Sequence, residues 1–114
     1  MLHEMTLFPR PYASIVSGQK TIELRLYDEK RQSIQIGDQI RFSNSEDASK
    51  STLCEVIQLY VFKNFAELYE TLPLLKCGYT ADDVDNAHPD DMLTYYSKEK
   101  QAQYGVVGIE LKRI

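Results

Sequence analysis

At 114 residues the chain has enough length for one core and not for two. Its 43% hydrophobic and 26% charged content excludes a disordered or fibrous chain. No apolar run approaches the roughly 18 residues that a membrane span needs. A net charge of −4 argues against a general polyanion binder held by long-range attraction.

The acidity is uneven. Residues 1–79 carry nine Lys or Arg against ten Asp or Glu, and residues 80–114 carry four against seven. A nucleic-acid surface is therefore expected in the first two thirds, with the acidic stretch that follows outside it. Met1 is not followed by the charged-then-apolar pattern of a signal peptide, so a cytoplasmic protein is expected. Cys54 and Cys77 have neither metal-ligand nor redox-motif spacing and read as buried free thiols.

Leu2, Met5 and Leu7 mark a first strand. Pro9 and Pro11 suit the first turn of a helix, with Tyr12, Ile15 and Val16 at helical spacing, and Gly18 supplies a left-handed stop. The next strand alternates: Ile22, Leu24 and Leu26 share a face that packs, and Thr21, Glu23 and Arg25 share one left for chemistry. Lys20 breaks that parity and belongs to the helix-to-strand corner, from which it can reach into a cleft.

Residues 27–31, Tyr-Asp-Glu-Lys-Arg, have no core pattern and read as a surface turn. Ile34 and Ile36 on one side, Ile40 and Phe42 on the other, predict two strands meeting at Gly37 and Asp38. Residues 43–51 read as a flexible polar connection, and residues 52–62 as a long strand apolar on both parities, suited to a closed barrel. Asn64 then caps a helix with Glu67 as its capping-box acid, Thr80 is the next expected cap, and Ser97 begins a last helix that Gly105 ends. Val107, Ile109 and Leu111 form the closing strand. There is no repeat or linker, and residues 1–114 are expected to form a single domain.

Five Asp within residues 82–91, with His88 among them, lack the alternating ligands and central Gly of a calcium loop and read as helix-capping aspartates. His3 has no sequence partner. No metal site and no cofactor is expected, and no Gly-rich phosphate loop or Ser or Cys nucleophile motif is present.

Gly18, Lys20, Glu23 and Arg25 fit the pattern G-x-K-x-x-E-x-R, and in this the chain resembles the ASCH domain family. The likeness extends through residues 25–31, the Ile36-Gly37-Asp38 turn and residues 104–110. It implies an α+β fold, a PUA-like, mostly antiparallel β-barrel of five or six strands flanked by short helices. A cleft beside the signature residues is implied as well, with RNA or a modified nucleoside as its ligand. One branch of that family deacetylates acetylcytidine with a Lys, a Thr three residues later and a Glu from a later helical region. Lys20 matches the first, Glu23 stands in place of the Thr, and residues 74–78 contain no Glu.

Two functions follow from the residues and the resemblance. The first is a binding module for single-stranded RNA, a nucleotide or a modified nucleoside. In it Lys20, Arg25, Lys30 and Arg31 contact phosphate, Thr21 lies on the same face, Glu23 accepts from a base or sugar, and Tyr27 stacks. The second is an amidohydrolase of an acylated nucleoside, with Lys20 as nucleophile or base and Glu23 as proton shuttle. No membrane association and no obligate protein partner is expected.

Overall fold

Alternating apolar residues build a five-stranded sheet in this computed structural model, which describes residues 1–114. The strands are β1 (Leu2–Leu7), β2 (Ile22–Leu26), β3 (Gln39–Asn44), β4 (Asp47–Phe62) and β5 (Val106–Arg113). Their spatial order is β1-β3-β4-β5-β2, with β1 parallel to β3 and every other pair antiparallel. The helices are α1 (Pro9–Ser17), α2 (Glu29–Gln32), α3 (Phe65–Thr71) and α4 (Lys98–Tyr104), with 3-10 turns at Leu74–Cys77, Val84–Asn86 and Pro89–Thr94.

The sheet curls into an open half-barrel with β1 and β2 as its two edges. Its concave side is filled by Met5, Leu7, Ile15, Ile40, Phe42, Val56 and neighbours. On the opposite side Ile22, Leu24 and Leu26 pack against Phe65, Leu68 and Leu72 of α3, as the alternation of β2 requires. Gly108 lets α3 come this close, since a Cβ there would lie 2.6 Å from a Leu72 methyl. No helix is long and apolar enough to cross a membrane.

Five expectations change. Residues 34–36 form no strand: Ile34 enters the core, Ile36 is 59% exposed, and the Asp38 carboxylate takes the Gln35 N–H at 3.0 Å. A side chain thus satisfies backbone that a ladder would otherwise pair. The same carboxylate receives buried His3 at 2.8 Å, which explains a polar residue on the inner face of β1.

The polar stretch 43–51 is a β-hairpin with Ser45 and Glu46 at its turn. Ladder bonds need no apolar side chains, so a ribbon solvated on both faces has the composition of a loop. Residues 27–31 contain α2, capped by Asp28, which accepts from the Arg31 N–H at 3.1 Å.

The long strand is apolar on both parities because a bulge between Val56 and Gln58 exchanges its faces. Val56 and Leu59 reach the concave core, whereas Tyr60 and Phe62 pack on the α3 side, and Ile57 and Val61 remain exposed. The expected closed barrel is accordingly an open one. Asn64 and Ser97 cap α3 and α4 as read from the sequence. Thr80 caps no helix: its N–H donates to Asp83 at 2.6 Å, and only a single 3-10 turn follows.

Two glycines with positive φ separate torsional strain from collision. At Gly18 (φ 86) a Cβ meets nothing within 4 Å, whereas at Gly105 (φ 71, ψ −170) it would lie 2.9 Å from the Phe62 carbonyl oxygen. Gly18→Ala is expected to cost about 1–2 kcal/mol. Gly105→Ala, in a region that only glycine adopts readily, should cost more than about 3 kcal/mol. Urea unfolding of the two variants checks the difference, and equal midpoints would refute it.

Candidate ligand-binding cleft

Lys20 is fixed by its neighbours before its side chain acts. Gly18 ends α1 in the left-handed region, the Lys20 N–H returns to the Ser14 carbonyl at 3.0 Å, and the Thr21 N–H is held by Lys76 at 2.8 Å. Gln19 ties this corner to the next segment through the Tyr79 carbonyl at 2.8 Å. The Lys20 stem then runs past Gly78, where a Cβ would lie 3.3 Å from Cδ. Its Nζ ends 2.7 Å from Glu23 Oε1.

The other carboxylate oxygen of Glu23 receives Arg25 Nε at 2.8 Å, and Arg25 Nη2 continues to the Thr6 carbonyl at 3.1 Å. Glu23 and Arg25 pair with Ile109 and Val107, so they extend the concave face of the sheet to its edge. The face expected to be free is therefore enclosed, and Glu23 is only 3% exposed. Burial pushes its carboxyl up, but Lys20 and then Arg25 pull it further down, and it stays below its ordinary value of 4.5. One carboxylate between two cations leaves the group with a net positive charge.

This triad lies in a cleft of about 510 Å³ bounded by the β1–α1 corner, β2 and residues 78–96. Arg10, Lys20 and Arg25 supply positive charge to its lining, and Glu23, Asp83 and Asp91 negative charge. Phe8, Tyr69, Tyr79, Tyr95 and Tyr96 supply rings. Tyr79 donates to Asp91 at 2.6 Å and shares a 2.7 Å bond with the Tyr69 hydroxyl. Burial, then the Asp91 bond, push the Tyr79 hydroxyl well above its usual range, so it is a fixed donor. Burial also pushes the Cys77 thiol up to about 11, which removes it as a nucleophile at neutral pH.

Of the residues expected at the site, Lys20, Glu23 and Arg25 come together in the cleft. Thr21, Tyr27, Lys30 and Arg31 are not in its lining. The Thr21 backbone joins the 3-10 turn and β5, and Tyr27 packs against the concave core. Lys30 is exposed on α2, and Arg31 pairs with Asp28 at 3.1 Å. The acidic stretch, expected to lie outside the ligand surface, forms one wall of this cleft through Asp83, Asp91, Tyr95 and Tyr96. A signal for that wall is in the sequence: Tyr95 and Tyr96 stand in an acidic region that otherwise has little reason to carry large rings. No group of three His, Cys, Asp or Glu is arranged to hold a metal ion.

A curled five-stranded sheet with short helices around it and a cleft where its edges meet is a PUA-like fold. The ASCH domain model matches residues 5–114, and the chain belongs to the ASCH domain family. The hypothetical protein PH0355 is 31% identical, with both chains covered in full and a TM-score of 0.80. PF0455 from Pyrococcus furiosus is 30% identical over 100% of this chain and 98% of its own, with a TM-score of 0.75. ASCH from Zymomonas mobilis, 12% identical, has the same fold at a TM-score of 0.67 over 97% of this chain and 66% of its own. No curated protein matches the chain.

Glu23→Gln leaves two cations facing each other in an enclosed site. A loss of about 3 kcal/mol is expected, the low end for breaking a buried ion pair, because Lys20 and Arg25 each keep an edge to water. The carboxyl is depressed in the folded state, so its contribution is complete above pH 4.5 and declines as pH falls through the lower folded value. Denaturation followed from pH 7 to 3 should therefore show a shallower acid limb for Glu23→Gln than for the wild type. Parallel limbs would contradict the assignment.

Proposed function

We propose that the cleft binds one nucleoside unit, presented by single-stranded RNA, by a nucleotide or as a free modified nucleoside, and that it binds without turnover. The observation that carries this reading is the Lys20–Glu23–Arg25 group, which places net positive charge deep in a small cleft walled by tyrosines. An anionic or carbonyl oxygen of a ligand is drawn to such a group, and the rings accept a planar base. Family membership supports the same ligand class. Equal numbers of acidic and basic side chains in the lining favour short-range recognition over attraction of long duplexes.

Hydrolysis of an acylated nucleoside needs a group free to accept a proton or attack carbon. Both oxygens of Glu23 are engaged by cations, and Lys20 donates to Glu23 at 2.7 Å. The Cys77 thiol is held protonated. These contacts support binding over catalysis.

The test is a thermal-shift screen of modified nucleosides and a short single-stranded RNA, followed by titration of the best ligand. At a hundredfold excess over Kd the stabilisation should be about 2.7 kcal/mol. Lys20→Ala should weaken binding roughly ten- to a hundredfold, the loss of one charge-assisted bond, and Lys20→Arg should retain much of it. Incubation with acetylcytidine should release no cytidine. Release by the wild type that disappears in Lys20→Arg and Glu23→Ala would make the protein an amidohydrolase.

A further inference from the structure

We infer that Phe8 and Tyr95 are the two jaws of an aromatic clamp at the mouth of the cleft, and that a nucleobase enters between them. The inference rests on the nucleotide-binding reading above and identifies the residues that hold the ring. Both side chains line the cleft and yet remain well exposed, 61% for Phe8 and 54% for Tyr95. Two large rings left in water at the rim of a concave site have more apolar surface to lose than any other part of its lining.

Their spacing suits insertion. The ring centroids are 6.3 Å apart with the planes inclined by 35°. A planar base with a ring on each side needs about 7 Å between the outer rings, twice a carbon contact distance of about 3.5 Å. Side-chain rotation that levels the tilt and sets the two planes face to face at that separation opens the slot.

The backing of the two jaws differs. Tyr95 is followed by Tyr96 at 6.3 Å, and Tyr96 is stacked on buried Phe65 at 6.2 Å, so a file of rings runs from the rim into the α3 core. Phe8 stands opposite on backbone that cannot drift. It precedes Pro9, which restricts it to the extended region, and its ψ of 157 lies there. The Phe8 carbonyl accepts the Tyr12 N–H at 3.0 Å, which ties its backbone to the first turn of α1.

Polar partners lie in suitable places for the rest of a nucleotide. Arg10, exposed in the same lining, is available to a phosphate, while Lys20 and Arg25 are deeper, where the polar edge of an inserted base points. Shape and stacking tolerate any base, and discrimination belongs to the deeper groups.

The experiment uses two fluorescent probes, 2-aminopurine riboside and a short single-stranded RNA carrying one 2-aminopurine, titrated with the whole protein. Stacking between the jaws should quench the fluorescence. Phe8→Ala and Tyr95→Ala should each weaken binding about tenfold or more and abolish the quench, whereas Tyr95→Phe should preserve both. Circular dichroism and thermal melting check that the exposed substitutions leave the fold intact. Clamp-dependent binding of the riboside assigns the site to free nucleosides, and of the strand alone to single-stranded RNA. Either result supports the clamp. Binding that requires Lys20 and stays within twofold in both Ala variants overturns the clamp and leaves the cleft as the binding site. Failure of the wild type to bind either probe overturns both.

Discussion

One carboxylate, Glu23, holds the cleft side of this protein together. Its two oxygens take Lys20 and Arg25, and Arg25 passes on to the Thr6 carbonyl, so a chain of charge-assisted bonds runs from the end of α1 across β2 to β1. β1 and β2 are opposite edges of the sheet and share no ladder. The curl that brings them together would otherwise leave unpaired backbone at the seam. An ion group at this place links the two edges through one side chain and at the same time leaves polar groups facing the cleft.

Such a group costs desolvation, and the cost explains its arrangement. A lone buried Glu would be protonated, and a lone buried Lys or Arg would be expelled to water. Three groups in sequence share the penalty, and the odd charge left over is positive. Gly78 contributes by omission, since a side chain there would press on the Lys20 stem, and Gln19 keeps the Gly78 segment in place. The opposite wall is assembled from residues 79–96, where Tyr79 is fixed by hydrogen bonds to Asp91 and to Tyr69 of α3 without an extended helix. This division between a charged floor and aromatic walls suits a ligand with a flat ring and a polar edge.

Much of the scaffold is readable from the chain because its causes are local. Pro9 and Pro11 followed by Gly18 delimit α1, Asn64 and Ser97 cap α3 and α4, and the alternation of Ile22, Leu24 and Leu26 assigns β2 its packing face. The motif residues Lys20, Glu23 and Arg25 are legible for the same reason, being within five residues of one another on a corner and a strand. Where the reading fails, a longer-range cause is at work. Residues 43–51 look like a loop because a solvated hairpin needs only backbone pairing, and residues 34–36 look like a strand because Asp38, joined to His3 from another strand, replaces the ladder.

Charge counted along the chain separated the acidic stretch from Lys20 and Arg25, and set Tyr27, Lys30 and Arg31 beside them. Proximity in sequence stood in for proximity in space, and the curl of the sheet breaks that equivalence. Helix α2 turns Arg31 back to Asp28, while the segment between α3 and α4 returns across the edge of β2 and delivers Asp91, Tyr95 and Tyr96 to the cleft. The sequence by itself determined β1, β2 and β5, the caps of α3 and α4, the packing face of β2 and the cation–carboxylate–cation motif, because residues two to five apart interact in ways that dihedral preferences and periodicity dictate. Only the tertiary structure decided that the motif is buried, that Arg25 on β2 reaches the Thr6 carbonyl on β1, and that the rings of Phe8 and Tyr95, 87 positions apart, lie 6.3 Å from each other. Those contacts depend on the curvature of the sheet and on the return path of a long segment, and no short-range pattern encodes either.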